Sequence, residues 1–254
     1  MAESIAGFFQ ENFQNHRHEC AYRQRRGYRT ESFTYGEVLE MAIDFARRLG
    51  VLNIAKGDRI VLWGENCAEW VAAFFGCTLR GVVVVPLDDG SATDFATRVF
   101  QQVSAKLLVA SQQHLREWAS SQLSMANFKI PTLNLATLNL EDLAKTVVHQ
   151  SVPKVLLGPD DTLQIVFTSG TTAEPKGVVI THGNVLGNIA PLEREIRGYL
   201  KYERLVHPLR FLNLLPLSHV FGQFLAMFLP SLLGATVIFQ DELKPSEVMN
   251  TIRR

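Results

Sequence analysis

The residues between 57 and 85 constrain the fold most, because two strand-like runs enclose a helix-like one. Residues 59–63 are mostly apolar and follow the turn pair Gly57-Asp58. Residues 82–85 are four consecutive valines, which favour a buried strand. Parallel strands need a crossover connection, usually a helix, so this order predicts a βαβ unit.

Helix signals lie before and inside this unit. Thr34 and Glu37 fit a capping box ahead of apolar residues at helical spacing, which predicts a helix over 35–49. The crossover helix is predicted to begin at Asn66, with Glu69 in its first turn.

The alternation of helices and strands continues along the chain. Residues 133–154 are less regular and are assigned no element. A second stretch begins after Gly158-Pro159, giving approximate subregions 1–157 and 158–254, and Asn184 is predicted to cap a helix. Further helices are expected near 92–103, 113–122, 220–233 and from Pro245, with further strands near 106–110, 163–167, 178–181, 211–215 and 236–239. The pattern predicts an α/β fold class with mostly parallel sheets flanked by helices.

Charge and cysteine content disfavour several classes of protein. The chain has 25 Lys and Arg against 25 Asp and Glu, and this zero net charge, without a basic aromatic stripe, disfavours binding to nucleic acid. Its three cysteines are odd in number and form no C-x-x-C pair. Reduced thiols in a cytoplasmic protein are therefore favoured over a disulfide or a zinc site.

An uncharged stretch over 211–240 raises the alternative of a membrane span. Pro216, His219 and Pro230 interrupt it, so a buried strand, helix and second strand are predicted, and no transmembrane segment. The first ten residues lack a basic start and a long apolar run, so no secretory signal is expected.

The strongest chemical signal is a loop between two apolar strands, with the sequence Phe167-Thr168-Ser169-Gly170-Thr171-Thr172-Ala173-Glu174-Pro175-Lys176-Gly177. Hydroxyls and free backbone N–H groups donate hydrogen bonds to phosphate oxygens, glycine lets the backbone approach an anion, and lysine adds a positive charge. A polyphosphate ligand fits this composition, and a surface hairpin uses the same residue types. A Walker P-loop does not fit, because Lys176 is followed by Gly177 and a β-branched run.

The order of residues in this loop resembles the signature of the adenylate-forming superfamily, which includes acyl-CoA synthetases, peptide-synthetase adenylation domains and firefly luciferases. The usual form is Ser/Thr-Ser-Gly-Thr-Thr-Gly-x-Pro-Lys-Gly, in which Ala173 here replaces a glycine. Residues 33–38, 79–88 and 215–222 are similar to further segments of acyl-CoA synthetases. The resemblance covers essentially the whole chain and implies an incomplete N-terminal domain of the acyl-CoA synthetase-like fold.

His219 lies in Leu215-Pro216-Leu217-Ser218-His219-Val220-Phe221-Gly222, which is similar to the Pro-Leu-x-His-x-x-Gly segment of acyl-CoA synthetases. The resemblance implies that this histidine lines the acyl pocket near the reacting carboxylate, where it can orient that group. A lone histidine in an apolar stretch is otherwise more often a buried, hydrogen-bonded core residue. That structural interpretation is kept for the other histidines, His182 among them.

The resemblance implies a two-step reaction. A carboxylate attacks the α-phosphate of ATP to give an acyl-adenylate and pyrophosphate, and a thiol, usually that of coenzyme A, then displaces AMP. Mg²⁺ normally balances the triphosphate charge. The residues implied to hold the β- and γ-phosphates are Thr168, Ser169, Gly170, Thr171, Thr172 and Lys176.

Several segments of the superfamily are absent from the chain, including Tyr-Gly-x-Thr-Glu and Thr-Gly-Asp. Residues 1–254 are therefore expected to be the N-terminal portion of an AMP-binding domain, without the C-terminal domain and inactive alone. An acyl-AMP ligase or a peptide-synthetase adenylation domain is the alternative with the same chemistry. A non-catalytic module that binds nucleotide or a partner is the alternative from another class.

The acid itself is not identified by the sequence. Apolar residues near Phe221, Phe224 and Met227 suggest a hydrophobic, fatty acyl chain, and the same residues fit an ordinary core. Apolar surface left uncovered by the absent portion would favour a homo-oligomer.

Overall fold

Two β-sheets organise the chain in a computed structural model that describes residues 3–122, 130–138, 155–168, 174–203, 207–240 and 244–252. The strands are β1 (Cys20–Arg26), β2 (Arg29–Thr34), β3 (Arg59–Trp63), β4 (Val83–Leu87), β5 (Leu107–Ala110), β6 (Thr132–Asn134), β7 (Thr162–Thr168), β8 (Lys176–Thr181), β9 (Arg210–Asn213) and β10 (Thr236–Phe239). The larger sheet has the order β6-β5-β3-β4-β7-β8, and the smaller has the order β2-β1-β10-β9.

The helices connect these strands and cover the sheets. They are α1 (Ile5–Asn15), α2 (Tyr35–Val51), α3 (Ala68–Arg80), α4 (Thr93–Gln102), α5 (Gln112–Gln122), α6 (His182–Glu203), α7 (Val220–Gln223), α8 (Leu229–Leu233) and α9 (Pro245–Ile252). A 3₁₀ turn covers Leu135–Leu138, and a π-helical turn over Phe224–Phe228 joins α7 to α8.

The predicted α/β fold class and βαβ unit are confirmed. β3 and β4 pair in parallel with α3 between them, and β5 pairs in parallel with the other side of β3. Pairing is parallel throughout both sheets except for the hairpins β1–β2 and β7–β8, which are antiparallel. Because the carboxyl ends of parallel strands meet at one edge, loops that follow β4 and β7 lie close together.

The first helix and the hairpin after it are not among the predicted elements. Ser4 caps α1, because its hydroxyl accepts from the Gly7 N–H, and the helix buries apolar residues at helical spacing. Phe9 of α1 stacks on Phe75 of α3 with ring centroids 3.9 Å apart, so α1 completes the core around α2 and α3.

Two predicted helix caps are wrong, and the structure shows why. Cys67 rather than Asn66 caps α3, because its Sγ accepts from the Trp70 N–H and the Asn66 side chain is used elsewhere. Asn184 lies three residues inside α6 rather than before it. Thr181 precedes the helix, its Oγ1 accepts from the Asn184 N–H, and Asn184 Oδ1 accepts from the Thr181 N–H.

The uncharged stretch over 211–240 folds as the predicted strand, helix and second strand, with β9 and β10 paired in parallel. Within the ranges that the structure describes, no helix combines the length and the apolar character needed to cross a membrane. Of the irregular segment predicted over 133–154, residues 139–154 lie outside the described residues.

Candidate active site at the carboxyl ends of the strands

The phosphate loop connects the two strands of an antiparallel hairpin. Thr168 at the end of β7 pairs with Lys176 at the start of β8, so these two residues close the base of the loop, and both are exposed. The other predicted phosphate-binding residues lie outside the described residues: Ser169, Gly170, Thr171 and Thr172.

Gly177, directly after this lysine, has a packing role. A Cβ there would lie 2.8 Å from Ile165 Cγ2 and 2.9 Å from Phe167 Cζ, on the facing strand. A side chain would therefore push Phe167 away. The glycine of the Pro-Lys-Gly sequence thus keeps the hairpin closed beside the loop.

The turn that leads to His219 is held by the side chain of a residue that follows a strand of the larger sheet. Asn66 follows β3, and its Nδ2 donates to the Leu215 carbonyl at 2.9 Å. Its Oδ1 accepts from the Leu217 N–H at 2.8 Å. The side chain that was predicted to begin a helix therefore pins the segment before the candidate catalytic histidine.

His219 lies at the N-terminus of α7 and its ring is available to a ligand. Its backbone is extended, its side chain makes no capping hydrogen bond, and its side chain is 60% exposed. The nearest carboxylate oxygen is Asp88 Oδ2, 3.9 Å from His219 Nε2. His219 is thus not the buried, hydrogen-bonded histidine of the structural alternative.

A cavity of about 380 Å³ lies between the end of β7 and the His219 turn. Phe167 lines it from the hairpin, Asp88 lines it from the loop after β4, and Ser218 and His219 line it from the turn before α7. Ligands of open α/β sheets bind at this carboxyl edge. The structure therefore brings the hairpin and the histidine, both singled out from the sequence, to one cavity.

A larger apolar groove of about 630 Å³ is lined by Val220, the residue that follows His219. Its walls are β8 and the start of α6 on one side and α7 with the π turn on the other. Phe221 and Phe224 line the groove, and Phe221 is 63% exposed. Met227 is fully buried in the core, so the core alternative applies to it, whereas Phe221 and Phe224 line the groove.

The loop after β4 is fixed by a histidine that the sequence did not single out for the site. His114 is buried, stacks on Trp63 at 4.0 Å, and its Nε2 lies 2.8 Å from Asp89 Oδ1. Burial alone would lower the pKa of His114, but the hydrogen bonds and charges of Asp89 and Glu117 outweigh it, so the pKa is raised. The contact between His114 and Asp89 therefore holds the Asp88-Asp89 turn at the cavity.

Replacing Asn66 with alanine is expected to destabilise the chain by about 1–2 kcal/mol, because the buried Leu217 N–H loses its acceptor. Asn66→Asp keeps an acceptor and is expected to cost less. Urea unfolding of the two variants measures the difference. Equal losses would contradict the role of the Leu217 hydrogen bond.

Comparison with known proteins agrees with this architecture. The family model described as AMP-binding enzyme matches residues 9–254. The chain is 28% identical over 235 residues to 4-coumarate–CoA ligase 3 of Arabidopsis thaliana, covering 88% of this chain and 40% of that protein. It is 33% identical over 161 residues to crotonobetaine/carnitine–CoA ligase of Escherichia coli O127:H6, covering 60% of this chain and 31% of that protein.

Solved structures show the same fold. The inhibitor-bound N-terminal domain of FACL13 from Mycobacterium tuberculosis superposes with a TM-score of 0.78 at 24% identity, covering 99% of this chain and 60% of that one. The AMPPNP-bound nonribosomal peptide synthetase FmoA3 also gives a TM-score of 0.78, at 22% identity, covering 99% of this chain and 24% of that one.

The chain therefore belongs to the family of AMP-binding enzymes. It has the fold of the N-terminal domain of adenylate-forming ligases, as the sequence predicted. It spans less than half the length of the curated relatives described above.

Proposed function

We propose that residues 1–254 are the N-terminal portion of the AMP-binding domain of an ATP-dependent carboxylic acid–CoA ligase. One observation carries the proposal: the hairpin that bears the phosphate loop and the segment from Ser218 into α7 line two cavities, one reached by His219 and the other by the next residue, Val220. One cavity is a cleft at the carboxyl edge of the sheet, and the other is an apolar groove. The CoA ligase names of the relatives support coenzyme A as the acceptor.

In this proposal the loop holds the β- and γ-phosphates of ATP through Thr168, Ser169, Gly170, Thr171, Thr172 and Lys176. Thr168 and Lys176 fit the role, because both are exposed at the base of the loop. They offer a hydroxyl and an ammonium group to a phosphate. Mg²⁺ would enter with ATP and supply further charge neutralisation when bound. The contribution of the loop is to orient the triphosphate as pyrophosphate leaves.

His219 is proposed to hydrogen bond to the substrate carboxylate. A carboxylate oxygen then forms a bond to the α-phosphorus of ATP as the bond to pyrophosphate breaks. The coenzyme A sulfur later bonds to the acyl carbon, and AMP leaves. An exposed imidazole at the start of α7 suits this orienting role, because no capping bond occupies its ring.

The apolar groove supports a hydrophobic, fatty acyl chain as the substrate tail. Val178 and Val179 of β8 face it from one side and Phe221 from the other, and all three are more than half exposed. Contiguous exposed apolar side chains mark binding surfaces. A homo-oligomer formed through exposed apolar surface is also part of the proposal.

The buried thiols of Cys67 and Cys77 are consistent with the proposed cytoplasmic location, because the described structure pairs neither in a disulfide. Acyl-AMP ligase and peptide-synthetase adenylation activities are the remaining alternatives of the same class. The chain alone is proposed to be inactive, so formation of acyl-AMP by the purified chain from a fatty acid and ATP would contradict that part.

Lys176→Ala is expected to weaken binding of Mg²⁺-ATP by about 10- to 100-fold, because a charge-assisted hydrogen bond to phosphate is lost. Calorimetric titration of the wild-type chain and the variant measures this. Lys106→Ala is the matched control, since Lys106 is exposed, pairs with Asp58 and precedes β5 at the opposite edge of the sheet.

Equal affinities of wild type and Lys176→Ala would remove the phosphate-binding role of this lysine. So would an equal loss in Lys106→Ala, because the effect would then come from net charge alone. A folded wild-type chain that binds no ATP would favour the alternative of a non-catalytic, partner-binding module.

A further inference from the structure

A buried pair of glutamine side chains joins the strand that leads into the phosphate loop to the helix that begins after His219. Gln164 lies on β7, Gln223 ends α7, and both are fully buried. Gln164 Nε2 donates to Gln223 Oε1 at 2.8 Å, and Gln223 Nε2 donates to Gln164 Oε1 at 2.9 Å. Buried amides are costly unless they are paired, and here each satisfies the other.

Gln223 also holds the turn in front of His219. Its Nε2 donates a second hydrogen bond to the Leu217 carbonyl at 3.0 Å. Its backbone N–H donates to the His219 carbonyl at 3.0 Å, which closes the first turn of α7. One side chain therefore links β7 to both the residue two before His219 and the helix that follows it.

The opposite end of the pair, Gln164, lies on the strand that leads into the phosphate loop. Side chains alternate along a strand, so Gln164 and Thr168 lie on the same face of β7. Directly after Gln223, the helix widens into the π turn over Phe224–Phe228. Single π turns inside helices are frequent at functional sites.

We propose that Gln164 and Gln223 are positioning residues that fix the place of His219 relative to Thr168, at the end of β7 that leads into the phosphate loop. The inference rests on the proposed function, which gives His219 and the phosphate loop their roles. The substrate carboxylate and the α-phosphate of ATP must be held in the correct relative position for the attack to occur. A misplacement of about 1 Å is enough to slow a reaction strongly. A rigid polar link between β7 and α7 meets that requirement without touching the substrate.

The test compares Gln164→Met, Gln223→Met and the double variant with the wild type, all without ligand. Methionine keeps the volume and removes the amide. Gln223→Met leaves the Gln164 amide without its partner, and Gln164→Met leaves the Gln223 amide with only its hydrogen bond to the Leu217 carbonyl, so each is expected to lower the urea midpoint. The double variant removes both amides and is expected to recover part of that loss. Amide hydrogen exchange at His219 and Gln223, read by NMR, reports the turn separately.

In the double variant, protection of the backbone amides at positions 219 and 223 is expected to fall about tenfold relative to wild type, although the urea midpoint partly recovers. A purely structural pair would let both readouts recover together. Wild-type protection at both amides in the double variant would therefore overturn the proposal.

A measurement on the wild-type chain covers the case in which the variants do not fold. Urea is added in increasing concentrations below the unfolding midpoint, and amide protection is followed in two segments. The Val166 and Phe167 amides of β7 should lose protection at the same urea concentration as the His219 and Gln223 amides. Loss at separate urea concentrations would overturn the proposal. Mg²⁺-ATP added to the wild type then tests the proposed function alone, since absence of binding would leave the exchange result intact.

Discussion

Between pH 7.5 and 5 the chain is expected to lose about 2 kcal/mol of unfolding free energy through His182 alone. This side chain is 1% exposed, and its Nδ1 accepts a hydrogen bond from the Ile5 N–H at 3.1 Å. Burial lowers its pKa from 6.5 to about 4, against the smaller opposing effect of Asp161. The folded state therefore needs the neutral imidazole.

The sign of the effect follows from the lowered pKa. The unfolded chain binds a proton near pH 6.5 and the folded chain only near pH 4. The contribution of His182 to stability is thus complete above about pH 6.5 and is lost as the pH falls toward 4, where it levels off. The lost contact joins α1 to the start of α6, so acid should loosen the packing of α1 first.

His182→Asn isolates this contribution, because Asn Oδ1 can accept from the Ile5 N–H and does not titrate. Urea unfolding at several pH values is expected to show a smaller fall in stability with acid for the variant than for the wild type. His18→Asn, the same substitution at an exposed histidine, is the matched control. Parallel pH profiles for the wild type and His182→Asn would refute the assignment.

The periodic elements were predictable because local signals and tertiary packing agree there. The capping box of Thr34 and Glu37 is present, since each accepts from the other's backbone N–H. The cap of α3 was missed because the Asn66 side chain is used in a contact 151 residues away along the chain, with Leu217. Capping preferences describe local alternatives, and a distant partner overrides them.

The parts of the candidate site that lie in a sequence motif could be predicted from the sequence. The part that depends on a contact between two distant residues could not. His219 and the hairpin lysine stand in recognisable order along the sequence, and the structure places both near the carboxyl edge. Gln164 and Gln223 lie 59 residues apart in apolar runs, and a glutamine in such a run carries no sign of its partner. The two glutamines become partners only because the fold brings β7 and α7 together.

Gly222→Ala is expected to destabilise the chain by about 1–3 kcal/mol. Gly222 lies within α7, where alanine would ordinarily add about 1 kcal/mol of helix stability. A Cβ at this position, however, would overlap the carbonyl oxygen of Pro216. That oxygen also accepts from the His219 N–H at 3.2 Å, so relieving the overlap must move the turn that carries the histidine.

Whether Gly222→Ala stabilises or destabilises the chain shows which effect is larger, the helix propensity of alanine or the contact of its Cβ with Pro216. Gly187→Ala is the matched control, because Gly187 lies in the helix α6 and a Cβ there meets nothing within 4 Å. Urea unfolding should show stabilisation by Gly187→Ala and destabilisation by Gly222→Ala. Equal stabilisation by both would mean that the turn before α7 yields freely, and the close approach of Pro216 to the helix would then not hold His219 in place.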